Sequence, residues 1–393
     1  MNSKKCLISV VLSSLIFVSG LFANNLQPWK VNENEVLFSA ITKNGNSGYI
    51  MKSLDGGHNW EMAWDSEMDA QSTKNRLQGI AYDGKGTVVA VGNIILASND
   101  KGMSWEESTL YTVTGANVFG STSGMLKSVA YGNGLFVAAA KYNVIYSKDG
   151  INWKFVRTGK LSLEEQRSKE NPSGLSLEDI KKDPKLHAKR PSIGEFPPDI
   201  SPSIKNVTKV TFVKDRFLVT GGQGGFEGAF FKVKNGELVL DQKIDFKSYG
   251  NRAKLNTGGA QGVAYDGDST IVMVSNSTKS AFSLDLGKSW KFMYQPGKQQ
   301  AYAVVHHNGQ WTALSPFRNI YSAQNIKKKW KEVKGSIKER AVMRNIIYAN
   351  DRYIAMGNDS VVLVSQDGVN WQSANKKKEF GMNSFGIVFA KFP

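Results

Sequence analysis

The chain has 393 residues, of which 41% are hydrophobic and 11% aromatic, with 38 Gly, 10 Pro and a single Cys. This composition excludes a disordered chain, a collagen-like chain and a small domain held together by disulfides. The formal net charge of +16, from 50 Lys and Arg against 34 Asp and Glu, favours anionic partners, although a lysine-rich surface that serves only solvation would give the same excess.

Residues 1–23 have the features of a secretory signal peptide. Lys4 and Lys5 precede an apolar stretch, Cys6 to Phe22, which is followed by the small residue Ala23. An uncleaved anchor is the alternative, but serines interrupt an apolar core that is short for a membrane span. We therefore expect a secreted or periplasmic mature protein with no further transmembrane segment. Cleavage would also remove the only Cys, and with it any disulfide or thiol nucleophile.

A short motif recurs along the rest of the chain. It reads Ser-x-Asp-x-Gly-x-x-Trp at residues 53–60, 98–105 and 283–290, is one residue shorter at 147–153 and 365–371, and is degenerate at 322–330. The spacing predicts a tight β-hairpin, in which Asp accepts hydrogen bonds from turn amides, Gly takes a positive φ and Trp covers the turn. The predicted role of the motif is structural.

Each motif belongs to a longer repeat. Upstream of it, two apolar segments are joined by a Gly or Asn turn, as in residues 79–82 with 87–90 and residues 128–131 with 135–138. Each repeat thus predicts four strands, here called A to D, with the motif between C and D. The first repeat lacks strand A, and residues 386–389 supply a matching segment. We expect this last strand to complete the first repeat and to close a ring without open edges.

The motifs resemble the Asp box of the BNR-repeat β-propellers, a sialidase-like group that includes many secreted bacterial proteins. The resemblance and the repeat count together imply an all-β, seven-bladed β-propeller of four-stranded antiparallel blades, with residues 24–393 as a single domain. One blade, residues 209–246, has lost its motif, and six blades would remain if that segment were something else. Residues 160–205 contain six prolines and two capping-box patterns, which predict a partly helical insertion between blades 3 and 4, either a packed lid or a mobile arm.

Propeller geometry divides the loops between two faces. The D-to-A and B-to-C loops surround the channel mouth that usually binds ligands, whereas the Asp boxes and the pair His306 and His307 fall on the other face. We therefore expect structural roles for that pair and no metal site. The residue before the core of each strand A would form a ring at the ligand-prone mouth. The ring members are Gln78, Lys127, Thr208, Gln261, Tyr302, Arg344 and Phe385.

Such a mixture of polar, charged and aromatic residues binds sugars by stacking and hydrogen bonding, or holds an anion. A wet channel mouth would also be polar without any ligand. No cofactor-binding motif accompanies the ring, and no cofactor is expected. Adding loop residues of the same face, the predicted ligand-binding residues are Arg76, Gln78, Lys127, Tyr142, Gln261, Tyr302, Arg318, Arg344 and Phe385.

A sialidase-like glycosidase is one hypothesis. The resemblance implies an arginine cluster, a Tyr nucleophile activated by Glu and an Asp acid/base, for which Tyr302, Glu227 and Asp359 are candidates by face. The Arg-containing motif that precedes the first Asp box in sialidases is missing, because residues 24–59 contain no Arg, and the sialidase ring has six blades. Other hydrolases or lyases are further alternatives, so the sequence leaves open whether the protein is an enzyme.

The sequence favours a non-catalytic binding or scaffold protein, because no acid/base constellation is recognisable. Its basic mouth would hold an anionic glycan, through carbohydrate binding, or a protein partner. An envelope assembly factor resembling the photosystem II assembly propeller is an alternative. Nucleic acid is not an expected partner, since a signal peptide is present and no nucleic-acid-binding module is recognisable. We expect a monomer.

Overall fold

The structure is a computed structural model. It describes residues 32–43, 47–66, 76–108, 125–140, 144–156, 204, 206–222, 225–246, 259–294, 300–315, 319–328, 330–333, 342–374 and 382–393. The predicted signal peptide lies outside these residues. So does the predicted insertion, residues 160–205, apart from Ile204.

The described residues form β-strands and no α-helix. The strands of the first half of the chain are β1 (Glu35–Lys43), β2 (Ser47–Ser53), β3 (Glu61–Asp65), β4 (Leu77–Tyr82), β5 (Val88–Gly92), β6 (Ile95–Ser98), β7 (Glu106–Ser108), β8 (Ser128–Gly132), β9 (Leu135–Ala139), β10 (Val144–Ser147), β11 (Trp153–Phe155), β12 (Lys209–Val213), β13 (Arg216–Gly221), β14 (Glu227–Lys234) and β15 (Glu237–Ile244). Those of the second half are β16 (Ala260–Tyr265), β17 (Ile271–Ser275), β18 (Lys279–Ser283), β19 (Lys291–Tyr294), β20 (Ala303–His307), β21 (Gln310–Leu314), β22 (Ile320–Ala323), β23 (Lys331–Val333), β24 (Met343–Ala349), β25 (Arg352–Gly357), β26 (Val362–Ser365), β27 (Gln372–Ser373) and β28 (Met382–Lys391).

These strands make seven antiparallel sheets of four strands each, which are the seven blades of a β-propeller. Blade 1 has the order β28-β1-β2-β3, and blades 2 to 7 each use four consecutive strands from β4 to β27. Strand A of each blade is its innermost strand, so blade 1 takes strand A from the end of the chain. The predicted seven-bladed fold is confirmed.

The end of the chain closes the ring. β28 pairs with β1 from Glu35–Lys391 to Lys43–Met382, with one register shift. Beyond the strand, the ring of Phe392 lies 6.3 Å from that of Phe38 and is buried. This confirms that the C-terminal strand completes the N-terminal blade.

The hydrophobic core is divided among the interfaces between neighbouring blades. In blade 2, Val89 and Val91 pack against Phe136 of blade 3, whereas the alternate residues Val88 and Ala90 pack against blade 1. Both faces of the sheet are therefore buried, because side chains alternate along a strand. This explains why strand B of blades 2 and 3 is a continuous apolar run and does not alternate with polar residues.

The recurring motifs, called Asp boxes here for the resemblance noted above, form the predicted hairpin turns. In blade 3, Asp149 Oδ1 accepts hydrogen bonds from Ser147 Oγ (2.8 Å) and the Asn152 amide (2.8 Å). The Gly150 amide donates to Ser147 Oγ (2.9 Å), and Trp153 Nε1 donates to the Gly150 carbonyl (2.7 Å). Gly150 has a φ of 80°. The motif thus satisfies its own turn amides and holds the Trp ring against the turn.

Acid should weaken these turns. Burial raises the pKa of Asp149, but hydrogen bonds from Asn152, Ile151 and Ser147 outweigh it and lower the pKa from 3.8 to about 2. Because the folded-state pKa is depressed, the stabilisation is complete above 3.8 and is lost as the pH falls towards 2. We expect Asp149→Asn to lower Tm at about pH 6 and this deficit to vanish by about pH 2.

The measurement is thermal unfolding, monitored by circular dichroism, at pH values from about 6 to about 2. Glu332→Gln, which neutralises an exposed carboxylate on the outer strand β23, is the matched control and should show no such pH-dependent deficit. A deficit of Asp149→Asn that is the same at both ends of the range would contradict a role for the ionised carboxylate.

Blade 4 lacks the Asp box and has a different turn. Asn235 and Gly236, with φ values of 55° and 76°, join β14 to β15 in a tight hairpin. Arg216 lies over the Phe230 ring (4.1 Å), donates to Asp241 Oδ2 (3.0 Å) and reaches the Leu286 carbonyl of blade 5 (2.8 Å). The segment predicted as a blade without its motif is therefore a complete blade, and an arginine connects it to the next one.

Candidate functional site

A cavity of about 950 Å³ occupies the central channel. Its walls are the inner strands of all seven blades, β4, β8, β12, β16, β20, β24 and β28, together with the residues just before them. All seven ring residues predicted from the sequence line this cavity: Gln78, Lys127, Thr208, Gln261, Tyr302, Arg344 and Phe385. The structure thus brings the ring together, one residue from each blade.

A repeated irregularity of the backbone places these side chains. Gln78 is an extra residue in its strand, because Leu77 pairs with Gly92 and Gly79 with Val91. Equivalent register shifts occur at Gln261, Arg344 and Phe385. Such a β-bulge redirects the side chain of the extra residue.

The other three ring residues show the same arrangement in their hydrogen bonds. The Lys127 amide donates to the carbonyl of Ala139, the residue that pairs with Ser128, so two residues of strand A oppose one of strand B. Thr208 and Tyr302 repeat this pattern opposite Thr220 and Leu314. The mouth of the channel is therefore a ring of seven bulged residues.

Arg344 is held in position by three neighbours. Its Nε donates to Asn358 Oδ1 (2.7 Å), and its guanidinium carbon lies 5.8 Å from the centre of the Tyr302 ring and 5.2 Å from that of Phe385. The two aromatic ring members, on the blades either side, thus flank the cation. No carboxylate among the described residues forms an ion pair with Arg344.

Lys127 lies on the other side of the ring, in blade 3. Burial, followed by the charge of Arg76, lowers the pKa of Lys127. Arg76 is therefore near Lys127, although it is not part of the cavity wall, and it adds positive charge to this sector of the mouth. Within the described segments, no acidic side chain pairs with Lys127.

Lys209 is a cavity residue that the sequence analysis missed. It follows Thr208 and lines the same cavity, and burial lowers its pKa. The feature of the sequence that could have identified it is a charged residue directly after a ring position, where the inner strands of the other blades have uncharged residues. With Lys127 and Arg344 it makes three cationic residues in the wall, and none of the described residues lining the cavity is Asp or Glu.

The proposed catalytic trio is not assembled at the cavity. Tyr302 lines the wall, but Glu227 at the start of β14 and the exposed Asp359 after β25 are not among the described lining residues. Gln78 and Gln261 line the mouth, each with its amide turned towards a nearby backbone carbonyl. Two other predicted ligand residues, Tyr142 and Arg318, lie outside the described part of the chain.

The opposite end of the channel carries an aromatic residue on every blade. Those of blades 3 and 4 pack against aromatic rings of strand B, Tyr131 against Phe136 (4.8 Å) and Phe212 against Phe217 (5.0 Å). Burial and then the charge of Asp83 raise the pKa of Tyr82 and Tyr131. The seven residues are Tyr82, Tyr131, Phe212, Tyr265, His306, Tyr348 and Phe389.

The histidine pair belongs to this end and makes packing contacts. His306 lies 4.5 Å from Trp311, and His307 stacks on Tyr348 of the next blade at 3.3 Å. Burial lowers the pKa of His306. In the described segments, no group of three or more His, Cys, Asp or Glu residues is arranged to hold a metal ion.

Comparison with known proteins shows a fold but no family. No family model matches the chain, and no curated protein matches it. Within the residues that the structure describes, none forms a helix with the length and apolar character of a membrane span.

Several solved propellers are similar in structure. YCF48 bound to D1 peptide has a TM-score of 0.51 at 14% identity, covering 83% of this chain and 93% of that chain. The WD40 propeller domain of Doa1 also has a TM-score of 0.51 at 14% identity, covering 86% and 96%. Apo AztD from Citrobacter koseri has a TM-score of 0.50 at 11% identity, covering 91% and 99%. These similarities show that the chain has a β-propeller fold, and the resemblance of its Asp boxes to BNR repeats stays a prediction.

Proposed function

We propose that the protein is a secreted or periplasmic binding propeller that holds an acidic segment of a partner protein at its channel mouth. The observation that carries this proposal is the charge of the cavity wall. Lys127, Lys209 and Arg344 line the cavity, and no carboxylate of the described residues lines it with them. An acidic ligand would supply the missing negative charge. Electrostatic complementarity of this kind increases the rate of association and fixes the register of the bound segment.

The environment of Arg344 favours a peptide over a stacked sugar. Both aromatic ring members, Tyr302 and Phe385, already lie against its guanidinium. A sugar that used these rings as a platform would have to displace the arginine, whereas a carboxylate can bind the guanidinium edge while the rings stay in place. One similar propeller, YCF48, has been solved bound to a peptide. The location outside the cytoplasm is supported by the signal-like residues 1–23.

The test is binding of hexaglutamate, labelled with fluorescein at its N-terminus, measured by fluorescence anisotropy. We expect Lys127→Met and Arg344→Gln each to weaken binding roughly tenfold, because each removes a charge-assisted hydrogen bond. Lys154→Met is the matched control, since it removes one exposed lysine from the outer strand β11 and changes the net charge equally. Binding by the wild-type protein should also weaken with added salt.

Three outcomes would contradict the proposal. Preferential binding of a galacturonic acid hexamer over hexaglutamate would identify an anionic glycan as the ligand. Hydrolysis of a fluorogenic sialoside that is lost in Tyr302→Phe would identify a glycosidase. If Lys127→Met and Lys154→Met weaken binding equally, the effect is one of net charge and the mouth is not the site.

A further inference from the structure

Lys209 gives the channel a second cationic layer, one residue along the inner strand from the ring. It follows Thr208 on β12 and lines the same cavity. The six residues at the equivalent position of the other inner strands are uncharged, and most of them are small. They are Gly79, Ser128, Gly262, Ala303, Asn345 and Gly386. Lys209 is therefore the one charged residue in this layer.

The small residues allow the inner strands to approach one another closely. A Cβ at Gly79 would lie 3.0 Å from the Ser128 Cα, and Asn345 donates to the Ser384 carbonyl of blade 1 (3.2 Å). This layer therefore offers a ligand mostly backbone and only one long side chain.

The Lys209 ammonium has no counter-ion among the described residues. Its neighbour Thr208 is already engaged, because the Thr208 hydroxyl donates to the Ala260 carbonyl. A cation withdrawn from water without a partner costs free energy, and an anion beside it removes that cost. The inner strand of the preceding blade, β8, begins directly after Lys127 and is in contact with β12. Lys127 and Lys209 therefore line adjacent parts of the cavity wall.

The next layer along the channel is apolar. It includes Val129, Val263, Ile346 and Ile387, all of which line the cavity. A charged group that passed beyond Lys209 would lose its hydration against these side chains without gaining a polar partner. The position of an anionic group is therefore limited on one side by the ring and on the other by this apolar layer.

We infer that Lys209, one layer below the ring, is a site for a terminal oxyanion, a carboxylate or phosphate group that enters the channel end-on. A polymer lying across the mouth would reach Lys127 and Arg344 but not Lys209, because Lys209 lies inside the ring. The end of a ligand, or a small free anion, can extend to the second layer while the rest of the ligand stays at the mouth. This inference rests on the proposed function, since it assigns the anionic ligand a direction of entry at the same mouth.

The experiment compares three probes on the wild-type protein and on Lys209→Met. The first probe is labelled hexaglutamate with a free C-terminal carboxylate. The second is labelled heptaglutamate amide, which carries the same number of carboxylates but no terminal one, and the third is inorganic phosphate as a competitor. We expect hexaglutamate to bind the wild-type protein roughly tenfold more tightly than the amide, and Lys209→Met to remove this difference. Phosphate competition that needs Lys209 would show that a free oxyanion also occupies the site.

A second measurement does not depend on a variant. Reductive methylation with 13C-formaldehyde labels the lysines, and the pH titration of each dimethyl-lysine signal gives its pKa. Hexaglutamate should raise the pKa of Lys209, because a bound anion stabilises the charged form, while the signal of the exposed Lys154 should not move. This readout holds even if Lys209→Met is unstable.

The two proposals fail in different ways. If Lys127→Met weakens binding while the amide and the free acid bind equally, phosphate does not compete and the pKa of Lys209 does not change, the channel mouth binds an acidic ligand sideways and end-on entry is wrong. If Lys127→Met and Arg344→Gln have no effect on any probe, the mouth itself is not a binding site.

Discussion

Deletion of residues 382–393 is expected to abolish folding of the propeller. The deletion removes the whole inner strand of blade 1 and leaves β1 as an open edge on the channel. It also removes Ile387 from the interface of blades 7 and 1, and Phe392 from that of blades 1 and 2. The loss of each of these two side chains costs about 2–5 kcal/mol, which together approaches the net stability of about 5–15 kcal/mol of a typical domain.

The measurements are the yield of soluble protein, its elution in size-exclusion chromatography and its thermal unfolding. Removal of Pro393 alone is the matched control, because this residue is exposed and follows the last paired strand, and it should leave Tm unchanged. A synthetic peptide of residues 382–393 should restore a cooperative transition to the truncated chain when added in trans. A truncated chain that unfolds at the wild-type Tm would show that the ring does not depend on its closure.

The blade count was predictable from the sequence because the Asp box is a local structure. Asp149 and Gly150 satisfy their turn through bonds to residues within the motif, so the pattern survives wherever the turn does. The closing strand was predictable because Gly386 and Ile387 repeat the pattern of strand A in other blades. Blade 4 was harder to predict from the sequence. Arg216 and Asp241 connect its strands through a contact between residues that are far apart in the sequence, and such a contact leaves no spaced motif.

The candidate site was predictable only in part. Alignment of the repeats selected one residue per blade, and that ring lines the cavity. The bulges that direct the ring inward have no common residue type, since Gln78, Arg344 and Phe385 occupy equivalent positions, so no composition rule could show them. The alignment does not select Lys209, because its neighbour Thr208 occupies the ring position of that strand. The catalytic candidates share one face of the propeller, and a shared face does not determine whether two side chains meet.

The structure gives the Asp boxes a second role, which the spacing of the motif does not reveal. In the boxes of blades 2, 3 and 5 the glycine packs against the preceding blade, where the nearest side chains are Phe38, Val89 and Phe230 respectively. The turn therefore packs against the preceding blade in addition to forming a hairpin. A side chain added at such a glycine would push two blades apart.

Gly102→Ala is expected to destabilise the protein by about 2–5 kcal/mol. The φ of Gly102 is +76°, which costs an alanine roughly 1–2 kcal/mol. A Cβ at this position would also lie well inside van der Waals contact with the buried Phe38 ring of blade 1, and such overpacking adds about 1–3 kcal/mol. Phe38 cannot easily move away, because the rings of Trp105 and Phe392 pack against its edges at 6.1 and 6.3 Å.

Gly84→Ala is the matched control for the backbone term. Gly84 has the same φ of +76°, but nothing lies within 4 Å of the Cβ that alanine would add. We expect this variant to lose only the roughly 1–2 kcal/mol of backbone strain. The difference between the two variants, measured by denaturant unfolding at one temperature, then reports the contact between blades 1 and 2. Equal losses of stability in the two variants would mean that the Asp box of blade 2 is not tightly packed against blade 1. The glycine would then be needed only for the conformation of its own turn.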